Sequence, residues 1–164
     1  MDRIWSPWRM AYIQAAKEQG EDDGCIFCDL PAEGDDERTK ILVRGERAFV
    51  ILNSFPYNPG HLMVAPFRHV GDFGAVEPNE FAEVDALLTR SVRALEGEME
   101  PHGFNLGMNL GRVAGAGIPG HLHWHVVPRW NGDTNFMPVV GQTRVLPELL
   151  DETYARLLPR FEAA

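Results

Sequence analysis

The segment His121-Leu122-His123-Trp124-His125-Val126-Val127-Pro128 limits the possible folds of this chain more than any other stretch. Imidazole and apolar side chains alternate along it, which is the period of a β-strand. A strand over 121–127 sends Leu122, Trp124 and Val126 to one face and His121, His123 and His125 to the other. The apolar face accounts for itself as core. The imidazole face does not, because each ring brings two nitrogens that need partners. A hydrated polar face, a metal-binding face and a nucleophilic face are all compatible with three aligned histidines.

The preceding loop favours the third reading. It runs Asn109-Leu110-Gly111-Arg112-Val113-Ala114-Gly115-Ala116-Gly117-Ile118-Pro119-Gly120. Its small residues let backbone N–H groups turn toward one point and form an anion-binding concavity. The loop leads directly into the histidines, so a phosphate held there would lie beside an imidazole.

The rest of the chain supplies a frame for such a strand. Residues 41–43 and 47–52 read as strands interrupted at Gly45, and 61–65 as a third strand after the turn Asn58-Pro59-Gly60. Residues 78–99 form the clearest helix. Phe81, Val84, Leu88, Val92 and Leu95 make an apolar stripe, with Pro78 in the first turn and Pro101 beyond the end. Residues 104–108 read as another strand and 146–161 as a C-terminal helix. Segments 17–24 and 31–40 read as loops. Antiparallel neighbours around one long helix define an α+β class. No linker or repeat divides the chain, so one domain over 1–164 is expected. Within it, 1–24 form an N-terminal arm carrying Trp5-Ser6-Pro7-Trp8-Arg9 and Tyr12, and 136–164 a C-terminal tail and helix.

Charge narrows the partners. The 164 residues carry a formal net charge of −9, and no basic stretch stands out, which argues against long nucleic acid. A small phosphorylated ligand needs only local positive charge. The N-terminus does not open a long apolar run, and no stretch is apolar enough to cross a bilayer. No membrane association and a cytoplasmic location are therefore expected.

The two cysteines form the pair Cys25-Ile26-Phe27-Cys28. This is half of a zinc site by spacing. A redox pair and two buried thiols are the other readings.

Taken with the histidine run, these motifs resemble the histidine triad (HIT) superfamily. Asn58-Pro59-Gly60-His61-Leu62 and Pro66-Phe67-Arg68-His69 are similar to its upstream strand and loop. Trp5-Ser6-Pro7-Trp8-Arg9 and Pro128-Arg129-Trp130-Asn131-Gly132-Asp133-Thr134-Asn135-Phe136 are similar to the arm and tail of a bacterial branch. That branch includes Fhit-like hydrolases and diadenosine tetraphosphate phosphorylases.

The resemblance implies a HIT-like fold whose homodimer forms through the helix and a continuous sheet. It implies an enzyme that cleaves dinucleoside polyphosphates at the α-phosphorus. His123 would be the nucleophile, giving a covalent nucleotidyl-histidine that phosphate or water resolves. His125 would donate to phosphate oxygens or the leaving group, and His121 would complete the catalytic triad. Asn53 would hold the ribose. Asn109, Gly115, Ala116, Gly117 and His61 would line the nucleotide and phosphate site. Relatives often place Ser, Thr or Gln where this chain has Ala116 and Gly117, which leaves the second-step acceptor open. Some relatives close a structural zinc site with residues matching His69 and His121, which would join Cys25 and Cys28. Alternatives to this function are a nucleoside phosphoramidate or nucleotide sulfate as substrate, a nucleotide sensor with little turnover, and a zinc protein using all three histidines.

Overall fold

The structure, a computed structural model, describes residues 24–133 and 148–162. Almost all of the expected arm and the tail over 134–147 lie outside these described residues. Among the described residues, ten elements follow one another in this order: α1 (Ile26–Ala32), α2 (Asp36–Thr39), β1 (Ile41–Arg44), β2 (Ala48–Leu52), β3 (Leu62–Pro66), a 3-10 turn (Phe73–Ala75), α3 (Pro78–Met99), β4 (Gly103–Met108), β5 (Trp124–Arg129) and α4 (Leu150–Glu162). The strands form one sheet in the order β1-β2-β3-β5-β4, and every pairing is antiparallel. The α+β class expected from the sequence is what the chain adopts.

Strands β2 and β3 are buried on both faces, and period-two alternation decides which residue goes where. Val50, Leu52, Leu62, Val64, Trp124 and Val126 face α3 and α4 and form the larger core. Phe49, Ile51, Met63 and Ala65 face the other way and pack with Phe27 of α1. Met63 pairs with His125 and Val64 with Trp124. The histidine side of β5 therefore lies on the smaller, α1-covered face, away from the long helix.

Several features depart from the sequence reading, among them the start of the C-terminal helix, which lies at Leu150 and not 146. Strand β5 begins at Trp124, so only His125 of the three histidines belongs to it. The segment before it is instead fixed by Leu122 N–H donating to Val70 O at 2.8 Å, outside the β3–β5 ladder. The stretch expected as a loop over 31–40 contains the end of α1 and all of α2, because the Asp35 side chain caps α2 by accepting from Arg38 N at 3.0 Å. In α3, the buried residues are Glu80, Val84, Leu87, Ser91, Ala94 and Leu95. Phe81 is exposed, and Leu88 and Val92 lie on the flank. The inward stripe is rotated from the one expected, since 80, 84, 87, 91 and 94 follow the 3.6 period.

The buried Glu80 has a specific reason. Its carboxylate accepts both Arg68 Nε (2.8 Å) and a terminal Arg68 nitrogen (2.6 Å), and it also accepts Glu77 N–H at 2.9 Å. This joins the loop after β3 to the first turn of α3. The Arg68 guanidinium holds the Glu80 carboxyl down at about 2. A carboxyl whose folded pKa is depressed adds stability above its unfolded value and loses it as pH falls through the folded one. Stability from Glu80 should therefore be lost between about pH 4.5 and about 2. Glu80→Ala is expected to cost about 2 kcal/mol at pH 7, with the difference from the parent shrinking toward pH 2. Urea titrations at both pH values check this, and a cost that does not change with pH would refute it.

Candidate active site and metal centre

The turn Asn58-Pro59-Gly60-His61 is where the sequence places His61. His61 N–H donates to Asn58 O at 3.1 Å, and Gly60 takes φ +76°, the left-handed position that a type II turn with Pro at its second residue requires. The Asn58 amide anchors the turn by donating to Pro128 O at 2.9 Å and to the Asp133 carboxylate at 2.8 Å. Asp133 also pairs with Arg129, at 2.6 and 3.0 Å. The Arg129 guanidinium beside it holds the Asp133 carboxyl well below the usual carboxylate range. This hub ties the His61 turn to the far end of β5.

A chain of rings runs inward from this turn. Tyr57 N–H donates to His61 Nδ1 at 3.1 Å, and the Asn53 amide lies 3.3 Å from the same nitrogen. His61 Nδ1 is thus an acceptor, and a neutral His61 carries its proton on Nε2. That nitrogen lies 3.0 Å from His125 Nδ1, so it donates, and a neutral His125 holds its own proton on Nε2. The His125 and His123 ring centroids are 5.0 Å apart. His123 Nδ1 lies 2.9 Å from His121 O and donates to it. The basic nitrogen of His123 is therefore Nε2. Burial pushes the His123 pKa below its ordinary value, only partly offset by the bond to His121 O, so the ring is neutral at pH 7. His123, whose unprotonated nitrogen is Nε2, thus sits next to His125, whose neutral ring carries its proton on Nε2.

His121 takes a different part. It was expected both in the triad and as a metal ligand, but its two nitrogens are turned to structural partners. Nε2 donates to Pro66 O at 2.8 Å. Nδ1 lies 3.2 Å from Cys25 Sγ and 3.6 Å from Cys28 Sγ. The ring is completely buried and does not touch the space beside His125. His121 is a candidate metal ligand, with both ring nitrogens beside partners.

The metal candidates do come together. The Cys25 and Cys28 sulfurs, His69 and His121 place their ligand atoms within 4.8 Å of one another. Cys25 caps α1, and Cys28 lies one turn in, so both thiols point to one side. His69 Nδ1 is 3.4 Å from Cys28 Sγ. A tetrahedron with metal–ligand arms of about 2.0–2.3 Å has edges of about 3.3–3.8 Å. The separations of 3.4 and 3.6 Å fall inside that range and 3.2 Å just below it. The donor set fits a closed four-coordinate site. Burial and the neighbouring Cys25 push the Cys28 thiol up to about 11 in the metal-free chain, and bound metal would reverse this by holding the thiolate.

Phe27, between the two cysteines, was not singled out from the sequence. Its ring is 1% exposed, with its centroid 4.7 Å from that of His123 and 5.4 Å from that of His121. Tyr57 was missed as well. Besides its N–H bond, its ring stacks on His61 at 4.9 Å and 16°. The available signal for each was position: one inside the cysteine pair, the other four residues before the histidine of a Pro-Gly turn.

The remaining candidates are braced locally. Asn53 Oδ1 accepts Phe55 N–H at 2.8 Å, making a turn after β2. Asn109 donates to Gly115 O at 3.4 Å. Gly115 N–H donates to Arg112 O and Ala116 N–H to Gly111 O, at 3.0 and 3.2 Å. Two N–H groups expected to face a phosphate are thus bonded within the loop. Register nevertheless brings the loop to the site. Met108 pairs with Trp124, so Asn109 and His123 leave the same end of the β4–β5 ladder. Among the described residues, no helix is long and apolar enough to cross a membrane.

Comparison with known proteins agrees with this architecture. The HIT domain family model matches residues 35–132. An AP-4-A phosphorylase of Mycobacterium tuberculosis H37Rv is 39% identical over 158 residues, covering 93% of this chain and 80% of that protein. An uncharacterised HIT-like protein of Mycoplasma genitalium is 31% identical, covering 84% of this chain and 94% of its own. A crystal structure of a zinc-bound histidine triad family protein from Mycobacterium smegmatis superposes with a TM-score of 0.69 at 27% identity, covering 85% of this chain and 94% of that one. The chain belongs to the HIT domain family.

Proposed function

We propose that this protein cleaves dinucleoside polyphosphates, of the diadenosine tetraphosphate kind, with His123 as nucleophile. The observation that carries the reading is the 2.9 Å bond from His123 Nδ1 to His121 O. It commits the ring's proton to the backbone and leaves Nε2 to attack. The relative named for AP-4-A phosphorylase activity supports the substrate class.

In the first step Nε2 forms a bond to the α-phosphorus and the bond from phosphorus to the bridging oxygen breaks. The electron pair leaves with that oxygen, and His125 Nε2–H supplies its proton. The product is a nucleotidyl-histidine. In the second step an acceptor oxygen attacks phosphorus, returns a proton to His125 and restores His123. Inorganic phosphate as acceptor gives a nucleoside diphosphate; water gives a monophosphate. Asn53 contacts the ribose and Asn109 the phosphates, while loop N–H groups stabilise developing charge.

Cys25, Cys28, His69 and His121 hold zinc in this reading, and the zinc-bound family member from Mycobacterium smegmatis supports that metal. The ion is structural; it supplies a fixed end to the segment carrying His123. One domain over 1–164 acts as a cytoplasmic homodimer. Strand β4 lies at the sheet edge with Leu106 exposed, a surface suited to extending the sheet. A monomer in analytical ultracentrifugation would rule the dimer out.

The function is tested by incubating the protein with diadenosine tetraphosphate, with and without phosphate, and separating the products. ADP with ATP only in the presence of phosphate identifies a phosphorylase. AMP with ATP under both conditions identifies a hydrolase. Folded protein that leaves the compound intact would overturn the proposal.

A further inference from the structure

Resting on the zinc site and the nucleophile proposed above, we propose that Cys25 and Cys28 are a reversible redox pair as well as metal ligands. Peroxide links them in a disulfide, the metal leaves, and the surroundings of His123 shift with it.

The backbone brings the two thiols together. Cys28 N–H donates to Cys25 O at 2.7 Å and Asp29 N–H to the same oxygen at 2.8 Å, so one tight turn separates the cysteines. Cβ atoms three positions apart on such a turn lie about 5–6 Å from one another, and a disulfide needs about 3.5–4.5 Å. Cys25 is the residue able to close that gap. It is the extended N-cap of α1, with φ −120° and ψ 115°, and its side chain makes no capping bond. The two sulfurs already lie within 4.8 Å of each other. The chain has 2 cysteines, so no other disulfide within it competes.

The cluster is open on its sulfur side. Both cysteines are half-buried and His69 is exposed, whereas His121 is buried. A small oxidant therefore reaches sulfur from solvent.

The chemistry balances with hydrogen peroxide as oxidant. One thiolate attacks a peroxide oxygen, the O–O bond breaks, and a sulfenic acid and hydroxide form. The second thiolate attacks the sulfenic sulfur and expels another hydroxide. Two protons from solvent turn both hydroxides into water. The sulfurs give up two electrons and the peroxide accepts them. Of four donors only the imidazoles of His69 and His121 remain, too few for a closed tetrahedral site, so the metal departs. In a reducing compartment such a disulfide is transient, which is how a redox sensor behaves.

Two contacts carry the change to the catalytic face. Phe27 lies between the cysteines in sequence, and its ring centroid is 4.7 Å from that of His123. Drawing the sulfurs into a bond tightens the turn that carries this ring. His121, released from the metal at Nδ1, supplies the carbonyl that accepts His123 Nδ1 at 2.9 Å. Misplacing an attacking group by about 1 Å costs roughly 10²-fold in rate.

The test treats zinc-loaded wild-type protein with hydrogen peroxide. A chromogenic chelator follows zinc release, peptide mass spectrometry without reductant locates the disulfide, and diadenosine tetraphosphate reports turnover. A Cys25–Cys28 disulfide is expected to form in step with zinc release, with kcat about tenfold or more lower. A dithiol and fresh zinc should restore both metal and turnover. Retained zinc, sulfinic acids in place of a disulfide, disulfide-linked pairs of chains, or unchanged turnover in the disulfide form would each overturn the proposal. So would loss of helical circular dichroism on oxidation, which would show unfolding and not a local shift. Protein that takes up no zinc beforehand would sink the zinc reading and this pairing with it. Reduced protein that leaves diadenosine tetraphosphate intact would sink the proposed function alone, because disulfide formation and zinc release are read without turnover.

Discussion

Replacing His123 with alanine is expected to lower kcat by roughly 10⁴–10⁶ while leaving fold and metal content intact. The size follows from the role. His125 can still donate a proton, but no other imidazole can present an unprotonated nitrogen to the same phosphorus, because His121 is spent on Pro66 O and the thiols. The fold should survive, because the ring's one backbone bond is to a carbonyl two residues away. The cavity beside Phe27 costs about 1–3 kcal/mol. The same geometry predicts the pH dependence. Burial holds the His123 pKa below 6.5, so the attacking neutral form persists through neutrality and is lost only as pH falls through that lowered value. The acid limb of kcat/KM should lie below pH 6.5. Residual turnover within tenfold of the parent, or metal loss in the variant, would remove His123 from the nucleophile's role.

Loss of metal should produce the second large effect. Chelation, or Cys28→Ser, is expected to cost about 3–5 kcal/mol and lower Tm by roughly 10 °C or more. The metal would tie α1, the loop after β3 and the start of the histidine segment at one point. These are distant in sequence, and the segment lies outside the ladder that holds β5. Function should fall with stability, because Phe27 sits between the two thiol ligands and packs on His123. Affinity for metal should rise with pH. The metal-free Cys28 thiol is pushed up to about 11, so binding at pH 7 must displace its proton, and each step toward higher pH lightens that cost. Metal titrations at pH 6 and pH 8, followed by thermal unfolding, read both effects. Equal affinity at the two pH values, or an unchanged Tm after metal removal, would count against a structural metal.

Much of this molecule could be read before it was seen, and the reason is periodicity. The alternation in 121–127 separated Leu122, Trp124 and Val126 from the imidazoles, and all three are core residues in the structure. Pro78 in the first turn and Pro101 beyond the end bracketed the long helix correctly, since proline suits a first helical turn, where its missing N–H costs nothing, and not the interior. The spacing of Cys25 and Cys28 marked a candidate half-site. Other features had no local signal. The inward face of α3 was misjudged because Phe81 is as apolar as Leu87, and only the sheet beneath decides which is buried. The loop over 31–40 hid α2 because four residues are too few to show a period.

What the sequence by itself determined, then, is the set of chemical groups, the strand and helix periods, and the turn that delivers His61. These depend on neighbours in the chain. Only the tertiary structure decided how the histidines divide their work. His121 turns to Pro66 O and the cysteines, His123 to the carbonyl of His121, and His125 to His61, a residue 64 positions away. An imidazole's tautomer is set by whichever partner reaches one of its nitrogens, and in this fold most of those partners arrive from distant parts of the chain.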